Sequence, residues 1–228
     1  MLQSQALRRK IALVSARHVA VNHALWSHHA FGHLYPDLLG VVYAVARASV
    51  PLMEAAREVL RGHAQDPLTS SLDGYFRRHI PEEVGHDQWV LEDLKTLRDD
   101  PDPFHSASSA SVATLVGAQY YWLRHLHPLT LLGYIAVIEG EPVDTELVQD
   151  VGQQHGLPKD SLRAYVRHGH LDVAHSADLD LLLNTLALTR CQEGWIAQSA
   201  FHTVAWLTTI LEELLERHRE SPPTFGHE

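Results

Sequence analysis

Apolar side chains recur at helical spacing along almost the whole chain, and no stretch alternates apolar and polar residues as a half-buried strand does. Across residues 4–30 the series is Leu7, Ile11, Val14, Val21 and Leu25, and the stretch Phe31–Pro36 is expected to end it. A second helix is expected over residues 37–62, kinked at Pro51 because proline removes an amide donor inside a helix. A third is expected over 68–98, interrupted or kinked at Pro81. The segment DDPDPFHSASS, residues 99–109, reads as a loop by composition. Further helices follow at about 110–125, 128–140, 144–155 and 159–168, and a last long run ends near 219, with Gly194 as its point of division. The expected fold is an all-α, single-domain bundle of roughly seven to nine helices over residues 1–220, with a frayed tail at 221–228.

Length and charge narrow the function classes. A chain of 228 residues suits one large domain, and 45% hydrophobic with 20% charged residues suits a packed core, not disorder. The lone Cys191 excludes a disulfide scaffold and suits a reducing, cytoplasmic setting. A formal net charge of −10 argues against a nucleic-acid binder, which needs a basic face. Apolar runs such as Ala110–Ala118 are too short to span a bilayer, so no membrane partner is expected. The basic stretch 1–13 is followed by His18, Asn22 and His23 in place of an apolar segment, so no signal peptide is expected.

The chain carries 18 histidines, spread along its length and not gathered in a tag. Three segments stand out. In Glu83-Val-Gly-His86 the i,i+3 spacing puts both side chains on one helix face, close enough to share a metal. The same segment also suits a solvated helix start, with Pro81 in a first turn and Glu82–Glu83 on the dipole. In His168-x3-Asp172-x2-His175 the offsets of 4 and 7 fall on one helical stripe. Two imidazoles and a carboxylate there are costly to bury without a partner, although a solvated polar face is the bland alternative. Glu139 follows the apolar run 131–138, where a core-facing helix ends, with Glu141 as its close competitor. Together Glu83, His86, Glu139, His168, Asp172 and His175 are a donor set for two divalent ions. Mixed imidazole and carboxylate suits iron better than structural zinc.

With these residues in view, the chain resembles the haem-oxygenase-like di-iron oxidases and oxygenases, relatives of the TenA and PqqC folds. The resemblance rests on EEVGHDQWVLEDL (82–94), YIAVIEGE (134–141) and HGHLDVAH (168–175), and covers about residues 18–215. It implies a haem-oxygenase-like bundle in which Glu83, His86, Glu139, His168, Asp172 and His175 bind two irons. Some members place a ligand seven residues before the first histidine; here that residue is His79, which would replace or supplement Glu83. The resemblance further implies O2 as co-substrate and a small amino-acid-like or fatty-acid-like substrate. It implies electrons from substrate or an external donor, a loosely held second iron, a role in natural-product biosynthesis, and often a homodimer. Related folds line their pocket from the first helix, so one or two of His18, His23, His28, His29 and His33 would meet substrate; otherwise they are surface or satisfied core histidines.

The remaining residues receive plainer readings. His125, His127, His155, His202, His218 and His227 are given no role. Tyr120, Tyr121, Trp122, Tyr134, Trp195, Phe201, Trp206 and Cys191 are read as core. Arg163, Arg167 and Arg190 are candidate anchors for a substrate carboxylate, with surface positions as the simpler reading. Three functions compete with iron chemistry. His86-Asp87 is an HD dipeptide, as in metal-dependent phosphohydrolases, but Gln88-Trp89-Val90 is not that family's continuation. A metal-free enzyme of the TenA or PqqC type would not need the full donor set, and TenA-type catalysis would use Cys191, the only cysteine. A scaffold or regulatory bundle would keep only the core.

Overall fold

A computed structural model describes residues 2–99, 109–140 and 143–219. The helices are α1 (Gln3–Val14), α2 (Ala16–Trp26), α3 (Phe31–Arg61), α4 (Thr69–Glu83), α5 (His86–Lys95), α6 (Ala110–His125), α7 (Leu131–Ile138), α8 (Thr145–Gln154), α9 (Arg163–Thr185) and α10 (Arg190–Arg217). Short 3-10 turns, Pro128–Thr130 and Lys159–Ser161, lead into α7 and α9. No strand occurs among the described residues, so the chain is all-α. The expected tail, most of the expected loop and Glu141 lie outside the described residues.

Side-chain caps close several helix starts by satisfying amides that have no partner within the helix. Ser109 accepts from the amides of Ser111 and Val112, and Asp144 from those of Glu146 and Leu147. Thr189 and Gln192 form a reciprocal capping box at the start of α10. The buried Asp93 on α5 accepts a 2.6 Å bond from the Ala164 amide and so ties α5 to the start of α9.

Several boundaries differ from the expected ones, each for a local reason. The first helix breaks at Ser15, whose hydroxyl donates back to the Ile11 carbonyl. Phe31–Pro36 is not a break: Phe31, Leu34, Tyr35 and Pro36 are buried and open α3, which contains both Pro36 and Pro51. Packing overrides the proline penalty there. Pro81 lies inside α4, and the interruption falls later, at Val84–Gly85. The last long run divides at 186–189, where Thr189 caps a new helix; Gly194 sits inside α10 with open space around it.

The apolar side chains form two clusters. One joins α3 from Val41 onward to α1, α4, α6, α7, the end of α9 and α10 as far as Ile210, and includes Leu52, Phe76, Leu115, Leu132, Leu183 and Ala200. The other joins the first half of α3 to α2, α5, α8, the start of α9 and the end of α10, and includes Phe31, Tyr35, Val90, Val148, Ala164 and Leu214. α3 and α10 run through both. By length and composition α3 is apolar enough to cross a membrane, which corrects the expectation that no apolar run is long enough. Its apolar residues are built into both clusters, as in a core helix.

The seam between the clusters is polar. On α9, Ala164 belongs to one cluster and Leu179 to the other, with His168, Asp172 and His175 between them. On the α4–α5 segment, Phe76 precedes the seam and Val90 follows it, with His79, Glu83 and His86 between. The fold thus brings the polar stretches of these two segments to one level of the bundle.

Candidate metal centre

Each contributing element places its polar residues by simple periodicity. His79 and Glu83 are i,i+4 on α4, hence on one face. His168, Asp172 and His175 share one stripe of α9. Glu139 is the residue that ends α7, where the chain leaves the core. His86 reaches the site by a different route from the expected one. Glu83 is the last residue of α4 and His86 the first of α5, so they do not share one continuous helix. Gly85 between them has φ of 91°, in the left-handed region that favours glycine. This break turns His86 back so that its Nδ1 lies 3.2 Å from Glu83 Oε1.

Four of these side chains converge most closely. His79, Glu83, Glu139 and His175 each offer one donor atom, and all of these atoms lie within 4.8 Å of one another. His79 Nε2 is 3.1 Å from Glu139 Oε1, and His175 Nδ1 is 3.5 Å from Glu139 Oε2 and 3.6 Å from Glu83 Oε1. Beside this group the rings of His86 and His168 stand edge to face with centroids 4.6 Å apart. The Nδ1–H of His168 donates to the Ala164 carbonyl at 2.9 Å, which leaves Nε2 with the lone pair. Asp172 is buried nearby and feels the charges of both Glu139 and Glu83. Of the expected residues, the structure therefore gathers Glu83, Glu139 and His175 with the neighbouring candidate His79. It sets His86 and His168 against each other alongside, with Asp172 on the same stripe.

Burial is deep. His79, Glu83, His86, Glu139, Asp172 and His175 are all between 1% and 9% exposed. The electrostatics follow from that burial. Asp172 is raised to about 7 by desolvation and by the charges of Glu139 and Glu83. Glu139 is also raised by burial, with Glu83 adding to the rise and His79 and His175 opposing it. Burial pushes Glu83 the same way, but His86, His79 and His175 around it bring it below the ordinary range. His168 is lowered by burial and by the neighbouring His86. Burial would lower His79 too, but Glu139, Glu83 and Glu82 outweigh it and the net shift is upward.

Several buried polar atoms here make no well-aligned hydrogen bond among the described residues: Nε2 of His86, Nδ1 of His175, Oε2 of Glu139 and the hydroxyl of Tyr75, while Nδ1 of His86 meets only Glu83 at 3.2 Å. An unpaired buried donor or acceptor costs about 1–3 kcal/mol. A set of such atoms on facing imidazoles and carboxylates fits a cation, which would satisfy them together.

Residues 62–207 match the family described as iron-containing redox enzymes. The chain belongs to that family. No curated protein is similar enough to count as a relative in sequence. Among solved structures the chain is similar to a domain of unknown function with a haem-oxygenase-like fold from Shewanella denitrificans, at 15% identity and TM-score 0.75, over 98% of this chain and 96% of that one. It is also similar to a TenA homolog from Pseudomonas syringae, at 15% identity and TM-score 0.75, over 93% and 92%. A haem oxygenase from Leptospira interrogans matches at 15% identity and TM-score 0.66, over 93% and 100%. These likenesses show a haem-oxygenase-like fold, as the sequence motifs imply.

Two further residues, His79 and Glu82, stand at this cluster. Of the two options for His79, replacing or supplementing Glu83, the geometry fits the second: both stand in the tightest group. The sequence pattern assigns Glu82 only to the helix dipole, but its Oε2 lies 3.3 Å from His79 Nδ1 and 3.6 Å from His175 Nε2. The signal was present in the i,i+3 spacing of His79 and Glu82, the same spacing that singled out Glu83 and His86. Other expectations are corrected. Cys191 is exposed on the first turn of α10, not buried. Tyr121 and Phe201 are exposed, whereas Tyr134 is core. His23, His29 and His33 are exposed, and His18 and His28 half-buried; His18 packs against Thr208, outside the cluster. Arg167 is exposed and lies over the Trp89 ring, and Arg163 pairs with Asp93 and Asp160.

Proposed function

We propose that the chain is a non-haem di-iron oxidase or oxygenase. It would use O2 to oxidise a small organic substrate by N-oxygenation, desaturation or oxidative C–C cleavage, within natural-product biosynthesis. The observation that carries this reading is the buried convergence of His79, Glu83, Glu139 and His175 beside the facing pair His86 and His168, with unpartnered donor atoms in both groups. Haem iron is held by one or two axial side chains, so a donor set this large suits bare ions better. Membership of an iron-containing redox family supports iron as the ion.

His79, Glu139 and His175 would hold one ion, and His86, His168 and Asp172 the other. Glu83 lies against both histidine groups, through His86 Nδ1 at 3.2 Å and His175 Nδ1 at 3.6 Å, and suits a shared ligand. Ferrous iron at these positions would supply the reducing equivalents and open coordination sites that O2 activation needs. The protein's own part is to hold the donors in a buried seam between two apolar clusters, where water is excluded and charge interactions are strong. An external donor supplies whatever electrons the substrate does not.

The deciding experiment is anaerobic loading of the reduced protein with ferrous iron, followed by metal counting and mixing with O2. Up to two irons per chain and a transient visible absorption are expected, and His168→Ala and Asp172→Ala should both lower iron uptake. Unchanged uptake in both variants would overturn the reading. The competing TenA-type reading needs a reactive cysteine, but Cys191 is exposed and is not a member of the buried donor group. Cys191→Ser should therefore leave both iron uptake and the O2 response intact.

A further inference from the structure

We infer that Glu82 is a positioning residue whose single carboxylate holds the rings of both His79 and His175. It thereby selects Nε2 of His79 and Nδ1 of His175 as the nitrogens offered to a metal. This inference rests on the metal-centre reading above and adds to it the tautomers of two ligands and the residue that sets them.

The two imidazoles stand edge to face, with ring centroids 4.5 Å apart and planes at 76°. Each ring is bracketed by carboxylates on opposite sides. On His79, Nε2 faces Glu139 Oε1 at 3.1 Å and Nδ1 faces Glu82 Oε2 at 3.3 Å. On His175, Nδ1 faces Glu139 Oε2 at 3.5 Å and Glu83 Oε1 at 3.6 Å, while Nε2 faces Glu82 Oε2 at 3.6 Å. Thus one oxygen of one side chain addresses the outer nitrogen of both rings.

A neutral imidazole has one N–H and one lone pair. When it binds a metal, the free N–H is usually given to a carboxylate or carbonyl, which fixes the ring and raises its basicity. Glu82 is placed for that task, and its burial differs from that of its neighbours in the way the task requires. Its side chain is 48% exposed, against 7% for Glu83 and 11% for Glu139. A half-solvated side chain keeps contact with water while its inner oxygen faces the two rings, which places it outside the centre. Consecutive helix positions diverge by about 100°. The adjacent Glu82 and Glu83 on the last turn of α4 therefore reach the ring pair from different sides, one outside and one inside.

The test uses the full chain loaded with zinc(II) as a diamagnetic probe, labelled with 15N in histidine. Long-range 1H–15N correlation, assigned with His79→Ala and His175→Ala, should show metal on Nε2 of His79 and Nδ1 of His175, with protons on the other nitrogens. Metal on His79 Nδ1 or His175 Nε2, which would make Glu82 itself a ligand, overturns the inference while leaving the metal centre standing. In parallel, zinc affinity is measured for Glu82→Leu and Glu82→Gln. Loss of the acceptor in Glu82→Leu should weaken binding by about 10–100-fold. Glu82→Gln, which keeps an acceptor oxygen, should recover most of it. Equal affinity in wild type and Glu82→Leu overturns the inference. Absence of zinc binding in wild type overturns the metal-centre reading, and this inference with it. The tautomer measurement needs no Glu82 variant, so it stands even where Glu82→Leu does not fold.

Discussion

Burial and the charges of Glu139 and Glu83 push the Asp172 carboxyl up to about 7, against 3.8 for an ordinary aspartate. Between about pH 4 and pH 7 the folded state holds this proton while the unfolded chain has released it, so stability falls as pH rises through that window. Above pH 7 the metal-free chain carries an ionised, buried Asp172. Asp172→Asn should therefore raise the thermal midpoint of the metal-free protein at pH 8 by more than at pH 4, while reducing iron uptake. Calorimetry at the two pH values and iron counting check both halves. Asp172 and its two histidines were legible because one helical stripe declares them together. Glu82 was not, because its role depends on two rings contributed by different helices.

At the scale of elements, the link between α4 and α5 matters most. A continuous helix through Glu83 and His86 is the natural reading of Glu-x-x-His, but the chain breaks at Val84–Gly85 and still brings the pair to 3.2 Å. The left-handed Gly85 makes that turn without strain, whereas a side chain there costs of order 1–3 kcal/mol. Gly85→Ala should lower the thermal midpoint and weaken iron binding by misdirecting His86, with both effects read on the same samples. α7 depends on a close approach of another kind. A Cβ on Gly133 would run into the backbone at Ile196 and Ala200 of α10. Gly133→Val should force α7 off α10, cost roughly 1–3 kcal/mol as overpacking does, and move Glu139 at the end of α7. Denaturant unfolding measures the cost. The element order and most helix cores were legible from periodicity. The boundaries at Ser15, Phe31 and Thr189 were not, because a hydroxyl contact, a buried helix start and a capping box outweigh the local punctuation.

For the whole molecule, two apolar clusters share α3 and α10 and meet at a polar seam. The seam is where the metal-free fold carries its unpartnered polar atoms, so occupation of the centre should act on global stability. Ferrous iron, or zinc in air, should raise the thermal midpoint, and a chelator should reverse the gain. The gain should be larger at pH 8 than at pH 5, because the ligands must shed their protons to bind and Asp172 does so only near 7. A metal-independent midpoint at both pH values would contradict the centre proposed here.

Helical periodicity was enough to establish an all-α chain, and the spacing of histidines and acids was enough to nominate three segments for one site. Both are local properties, written in the offsets of neighbouring residues. Packing alone settled which atoms meet. His79 joins Glu83 in the cluster, Glu82 stands behind two rings, and Cys191 stays outside. Distances between helices depend on where α4 breaks and how α7 and α9 lie against their neighbours, and no offset along a single helix encodes those relations.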